Sequence, residues 1–179
     1  MRRLFLVPLA AALLAGAASA ATVDPQSLVL RKADLPRGFQ VDRGQTGVRT
    51  NELEARDYPE LRAKLVRWGR VTGYQAEFDR GSATISSRAD VFRTAGGARL
   101  LLSFFDTEVR SGGVLVLRRA PTDIGVDGSV YSASAPVAFT LVVWRHGRVF
   151  AGVMGQGVTR QRTIALARVQ QRRIAAALR

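Results

Sequence analysis

The chain has 179 residues, a formal net charge of +13, one histidine and no cysteine. Without cysteine it has no disulfide framework and no thiolate chemistry, so the fold must rest on a packed core. A single histidine leaves a zinc site only carboxylates, which excludes the usual His and Cys ligand sets, and no cofactor is expected.

The first twenty residues, MRRLFLVPLAAALLAGAASA, combine Arg2 and Arg3, an apolar run from Leu4 to Leu14 and small residues ending in Ala18-Ser19-Ala20. That is the three-part layout of a secretory signal peptide, with cleavage expected after Ala20. The alternative is an uncleaved single-pass anchor, which Pro8 and the dense Ala/Gly/Ser tail oppose. The expected product is exported, secreted or periplasmic, with no transmembrane segment and a single domain over residues 21–179.

Asp24-Pro25 is expected to start a short helix that buries Leu28, Val29 and Leu30, and Leu35-Pro36-Arg37-Gly38-Phe39 to turn the chain. Residues 42–57 are the most polar, glycine-containing stretch and read as a loop. In YPELRAKLVRWGR (58–70), Leu61, Leu65 and Trp68 fall at i, i+4 and i+7 of one helix, with Pro59 in its first turn and Gly69 as its stop. Two alternating segments follow, 71–78 and 83–92. Tyr74, Ala76 and Phe78 share one face of the first; Ala83, Ile85, Ser87, Ala89 and Val91 share one face of the second. Asp79-Arg80-Gly81-Ser82 joins them as an antiparallel hairpin.

Thr94 is placed to cap a helix over 95–110 with Ala98, Leu101, Leu102, Phe105 and Val109 on its apolar side, and Gly112-Gly113 to end it. Residues 114–121 and 129–135 read as strands around the turn TDIGVDG. Residues 138–145 and 148–155 form a further pair, and 159–178 a closing helix. This order predicts an α+β fold, a mainly antiparallel sheet of about six strands with helices packed on it. The connections are too short for the crossovers of a parallel sheet.

Few residues qualify for chemistry. Asp123 and Asp127 do not match a calcium loop, and Asp127-Gly128 reads as a tight turn. Asp106 and Glu108, two apart on a helix, point to different sides. His146 is the one candidate base, but no Gly-x-Ser-x-Gly elbow accompanies it. His146-Gly147 reads instead as a two-residue hairpin turn with the imidazole at an exposed tip, between Arg145 and Arg148. Gly155-Gln156-Gly157 lies between a strand and a helix, but Arg160 occupies the third position of a dinucleotide fingerprint and no ribose-binding acid follows. A weaker role remains for this helix start: its free N–H groups near Thr159, with Arg160 and Arg162 beside them, suit a phosphate, sulfate or carboxylate.

The basic surplus lies late in the chain. Residues 21–127 hold seventeen Arg or Lys against fourteen Asp or Glu, whereas residues 128–179 hold eight Arg and no acid. Such a surface favours acidic partners: an anionic small molecule, a polymer or an envelope protein. Arg outnumbers Lys twenty-five to two, which is also what a GC-rich composition writes at solvated positions. Export makes nucleic acid the least favoured partner. The closing helix has an apolar side of Ile164, Ala167, Gln171, Ile174, Ala175 and Leu178, and a basic side of Arg162, Arg168, Arg172, Arg173 and Arg179. Its Ala-rich face has no Trp or Phe to anchor in a bilayer, so packing on the sheet is expected.

In this order, ADLPRGF (33–39), the central hairpin, TAGGARLLLSFF (94–105), VVWRHGRVFAGV (142–153) and the closing helix resemble small exported proteins of actinobacteria and their relatives. The layout is also similar to PsbP-like domains and to the extracellular sensor domains of mycobacterial Ser/Thr kinases, although those sensors carry disulfides that this chain cannot form. The resemblance implies a non-enzymatic envelope domain that binds a ligand or partner, and it transfers no site residue. The expected function is therefore a secreted or periplasmic non-enzymatic binding module of the cell envelope. Its expected ligand is anionic, held by Arg145, Arg148, Gly157, Arg160 and Arg162. Two alternatives stand beside it: a hydrolase whose carboxylates, such as Asp79, Asp106 or Asp123, meet only in the fold, and a structural or assembly protein with a large exposed apolar patch.

Overall fold

Successive side chains of a strand point to opposite faces, so a sheet covered on both sides needs two sets of inward residues. This chain supplies both. The computed structural model describes residues 23–56, 59–111, 118–134 and 138–179. The expected signal peptide at 1–20, the Gly112-Gly113 helix stop and the start of the strand expected at 114–121 lie outside them.

Two 3-10 turns, Pro25–Leu28 and Lys32–Asp34, precede β1 (Gln40–Val41), β2 (Gly47–Arg49), α1 (Asn51–Glu54), α2 (Pro59–Arg67), β3 (Arg70–Arg80) and β4 (Ala83–Phe92). Then come α3 (Ala95–Ser111), β5 (Arg118–Pro121), β6 (Val126–Ala133), β7 (Phe139–His146), β8 (Val149–Gln156) and α4 (Arg160–Ala177). The strands lie in the order β1, β3, β4, β8, β7, β6, β5, with β2 beside β3 as well, and all pairs are antiparallel. The α+β architecture is as expected, but the sheet has eight strands rather than about six. The added strands, β1 and β2, share one edge of β3, and β2 and α1 lie within the stretch that reads as a loop. A strand of three residues is too short to show alternation.

On one face Phe78, Ile85, Ala89, Val142, Trp144, Ala151 and Val153 pack against Leu166, Ala167 and Ile174 of α4 and against Leu28, Leu30 and Phe39 of the N-terminal segment. On the other, Phe92, Tyr131, Val143 and Phe150 meet Leu61 and Leu65 of α2 and Ala98, Leu101 and Leu102 of α3. Thr94 caps α3 by accepting the Gly97 N–H at 3.2 Å. Gly97 itself faces the Trp68 carbonyl so closely that a side chain would overlap it, which lets α3 close on the end of α2. No described helix is long and apolar enough to cross a membrane.

Three local readings are corrected. The α4 core position is Gln170 rather than Gln171: Gln170 is fully buried, its Nε2 donates to the Arg88 carbonyl at 2.8 Å, and its Oε1 accepts the Ser87 hydroxyl at 2.9 Å. Arg173 does not lie on a purely solvated side but reaches the Val29 carbonyl and the Asp34 carboxylate, clamping the N-terminal segment. The β7–β8 hairpin turns at Gly147-Arg148, with Gly147 at φ +52° and His146 still paired with Val149. The half-buried imidazole lies against α4, its Nδ1 2.9 Å from Gln171 Nε2, and not at an exposed tip.

Candidate functional site

Residues directly opposite one another on neighbouring strands point to the same side of a sheet. The registers therefore draw two transverse rows on the face that α2 and α3 cover. One row runs Glu77, Ser86, Met154, Leu141 and the next Gln75, Arg88, Gly152, Val143, across β3, β4, β8 and β7. These eight residues floor a cavity of about 510 Å³, roofed by Leu61 and Leu65 of α2 and by Leu101, Phe104, Phe105 and Glu108 of α3, with Glu54 of α1 at one side. That volume is in the range of small-molecule sites, which run to roughly 300–1,000 Å³.

Two features of the sequence open the space. Gly152 puts no side chain in the middle of its row, where a Cβ would meet Val143 Cγ1 at 3.4 Å, the Val142 carbonyl at 3.5 Å and Leu141 Cδ1 at 4.0 Å. The roof helices sit over different strands, α2 over β3 and α3 over β4, β7 and β8, and the cavity lies between them. Trp68 and Lys64 reach across to Phe104, with ring centroids 5.7 Å apart and the ammonium 4.3 Å from the ring, so the two helices touch above the gap.

The floor is polar under α2 and apolar under α3. Its polar half is anchored by buried ions. Arg70 donates to Asp90 Oδ1 through Nε at 3.0 Å and Nη2 at 2.5 Å, to Asn51 Oδ1 at 2.8 Å and to the Arg49 carbonyl at 2.7 Å. Both side chains of this pair are 0% exposed. Arg88, at the cavity wall, donates to Asp90 Oδ2 at 2.7 Å and pairs with Glu54 at 2.6 Å, and Glu54 also pairs with Arg49 at 2.7 Å. Burial opposes ionisation of Asp90, but the charges of Arg88 and Arg70 outweigh it and hold the carboxyl below its ordinary range. Burial likewise opposes the charge on Arg88, and Asp90 and Glu54 overcome it.

Glu77 is set differently. Burial, then the neighbouring carboxylates of Asp79 and Asp42, push it above the ordinary range. Among the described residues its side chain accepts a hydrogen bond from Gln75 Nε2 at 3.2 Å. None of these cavity residues stands out in the sequence by a motif. The trace they leave is alternation, since Gln75 and Glu77 on one strand and Ser86, Arg88 and Asp90 on its partner are the faces opposite the apolar ones.

The residues expected to hold an anion are divided between two ends of the sheet. Arg145 pairs with Asp127 at 2.8 Å, and Arg148 sits in the hairpin turn, where its carbonyl accepts the Phe92 N–H. Gly157, at φ +62°, lies at the far end of β8 against Ala83, and Arg160 and Arg162 are exposed on the first turn of α4. An extended strand separates the two groups by about 25–30 Å at its usual rise, so the five do not form one surface. Thr159 caps α4 by accepting the Arg162 N–H at 3.3 Å, which occupies one of the donors an anion would use. The carboxylates considered for hydrolysis are also apart. Asp79 accepts the Thr84 hydroxyl, Asp106 accepts the Tyr131 hydroxyl and pairs with Arg119, and Asp123 pairs with Arg168.

No protein-family model matches the chain, and no curated protein matches it. Among solved structures, the extracellular domain of PknH from Mycobacterium tuberculosis is similar at a TM-score of 0.48 and 10% sequence identity, over 82% of this chain and 94% of that chain. A likeness of this degree carries neither a ligand nor a site to this chain.

Proposed function

We propose that the chain is a non-enzymatic binding module that works outside the cytoplasm, in the cell envelope or beyond it, and holds a small amphipathic molecule in the cavity between the sheet and helices α2 and α3. The observation that carries the proposal is the cavity of about 510 Å³ between the sheet and helices α2 and α3, with no side chain at Gly152 in the middle of its four-strand floor. The extracytoplasmic part rests on the N-terminal sequence, with its basic start, apolar run and Ala-x-Ala end. The non-enzymatic part is supported by the engagement of Asp79, Asp106 and Asp123 with three separate sets of partners.

Native mass spectrometry of the protein purified from its own host tests this. A co-purifying small molecule is expected with the natural chain, and its weakening or loss with Gly152→Leu, which narrows the cavity at the middle of its floor. If nothing co-purifies and no apolar probe raises the melting temperature, the proposal fails. Anion binding is a separate proposal, now confined to Gly157, Arg160 and Arg162. Phosphate or sulfate should then raise the melting temperature, less so at high salt. No rise with either anion removes it.

A further inference from the structure

Resting on the cavity-binding proposal, we infer that the occupant is an amphiphile with a positively charged, hydrogen-bond-donating head seated at Glu77. Its apolar body lies along Leu141, Val143, Met154 and Phe105.

The two ions of the polar half differ in what they have left to offer. Arg88 faces the cavity, but Glu54 and Asp90 already take its Nη2 and Nε, so it is a weak partner for an anion. Among the described residues no Arg or Lys pairs with Glu77, and none pairs with Asp42 or Asp79 behind it. Asp42 accepts only the backbone N–H groups of Gly44 and Gln45, and Asp79 the Thr84 hydroxyl. In a chain with 27 Arg and Lys against 14 acids, three neighbouring carboxylates outside any ion pair stand out, although the charge of Arg49 opposes them at Glu77.

At Glu77 the carboxylates of Asp79 and Asp42 outweigh the opposing charge of Arg49, so the field there favours a further cation. A metal ion does not answer the need, because among the described residues no three His, Asp or Glu are placed to hold one. An organic ammonium fits better: its charge offsets the mutual repulsion of the three acids, and its N–H groups reach Glu77 and the Ser86 hydroxyl in the same row. The raised position of Glu77 agrees with a site that is incomplete without its ligand. Beyond the head, the floor turns to Met154 and Leu141 and the roof to Phe105, which suits a short hydrocarbon body.

Isothermal titration calorimetry of the full chain with octylammonium, octanol and octanoate at low ionic strength tests the assignment. Octylammonium is expected to bind at least about tenfold tighter than octanol, and octanoate more weakly than octanol. In 0.5 M salt the advantage of the ammonium should shrink in part, since salt screens a half-buried site less than an exposed one. Glu77→Gln should bring octylammonium to within about twofold of octanol, and the salt dependence of the unsubstituted chain serves if that variant does not fold. Equal affinities for ammonium and alcohol, or tighter binding of octanoate, overturn the charged-head inference and leave the cavity proposal standing. Failure of all three to bind overturns the cavity proposal itself.

Discussion

Gly73 stands opposite Asp90 in the β3–β4 ladder, and the space left by its missing side chain is where the Asp90 carboxylate and the Arg70 guanidinium meet. The pair lies one row beyond the cavity floor. Through Asn51 and the Arg49 carbonyl it ties β3 and β4 to α1, and through Asp90 it orients Arg88 at the cavity wall. A small residue in one strand thus allows a buried ion pair, which in turn fixes the polar half of the site.

Removing either partner of a buried pair leaves the other charge uncompensated, at a cost of about 3–5 kcal/mol. Asp90→Ala should lose that much stability. Gly73→Ala should lose a comparable amount, because its Cβ would displace both ions. Urea denaturation of the two variants checks this; a loss under about 1 kcal/mol in both would show that the pair is not a structural unit.

The same network predicts an acid limit. Asp90 is held below its ordinary range by Arg88 and Arg70 against the effect of burial. A carboxyl that binds its proton less readily folded than unfolded contributes stability above the unfolded value, near pH 4, and loses it as pH falls through the folded value. Stability should therefore fall steeply below about pH 4. In Asp90→Asn the acid-side slope should be shallower, as followed by thermal melts from pH 6 to pH 2.5.

On the opposite face, one hydroxyl joins three elements. Ser87 accepts the Leu30 N–H at 2.9 Å and donates to Gln170 Oε1 at 2.9 Å. Gln170→Leu leaves the Ser87 hydroxyl and the Arg88 carbonyl without their partner, a cost of about 1–3 kcal/mol for a buried unsatisfied group. Amide exchange should quicken at Leu30 before it does in the sheet. Unchanged exchange at Leu30 would show that α4 and the N-terminal segment are not coupled through this residue.

How far the fold is legible in the sequence depends on whether a feature is local. The Leu61, Leu65, Trp68 stripe and the Ile85, Ser87, Ala89, Val91 alternation are local, and each element they predict is present. Alternation also puts Gln75, Glu77, Ser86, Arg88 and Asp90 on one second face. Whether water or a helix covers that face depends on the side of the sheet to which each helix crosses, which no local period encodes. The expected anion site fails as one surface for a related reason. Arg148 and Gly157 are nine residues apart in sequence, but the strand between them is extended and places them at opposite ends. Gln170 and Gln171 differ by one residue, which on a helix is a turn of about 100° and the difference between core and flank.

If the cavity is kept for binding, its residues should be poor choices for stability, and Glu77 and Gly152 test this. Glu77 is pushed up by burial and by Asp79 and Asp42. A carboxyl that holds its proton more readily folded than unfolded destabilises the fold once pH has risen through its folded value. Glu77→Gln should therefore stabilise the chain at pH 7, and the gain should fade as pH falls through and below about 4, where the carboxyl becomes protonated in the unfolded as well as the folded state. Gly152→Ala places a Cβ at ordinary contact distance from Val143 and removes the flexibility of glycine in a strand, a gain of about 0.5–1 kcal/mol. Both variants should melt higher at pH 7 than the natural chain while binding octylammonium less tightly, the trade expected where function rather than stability selects the residue. A lower melting temperature for Glu77→Gln at pH 7 would mean that its carboxylate is a structural acceptor and not a site held open for a ligand.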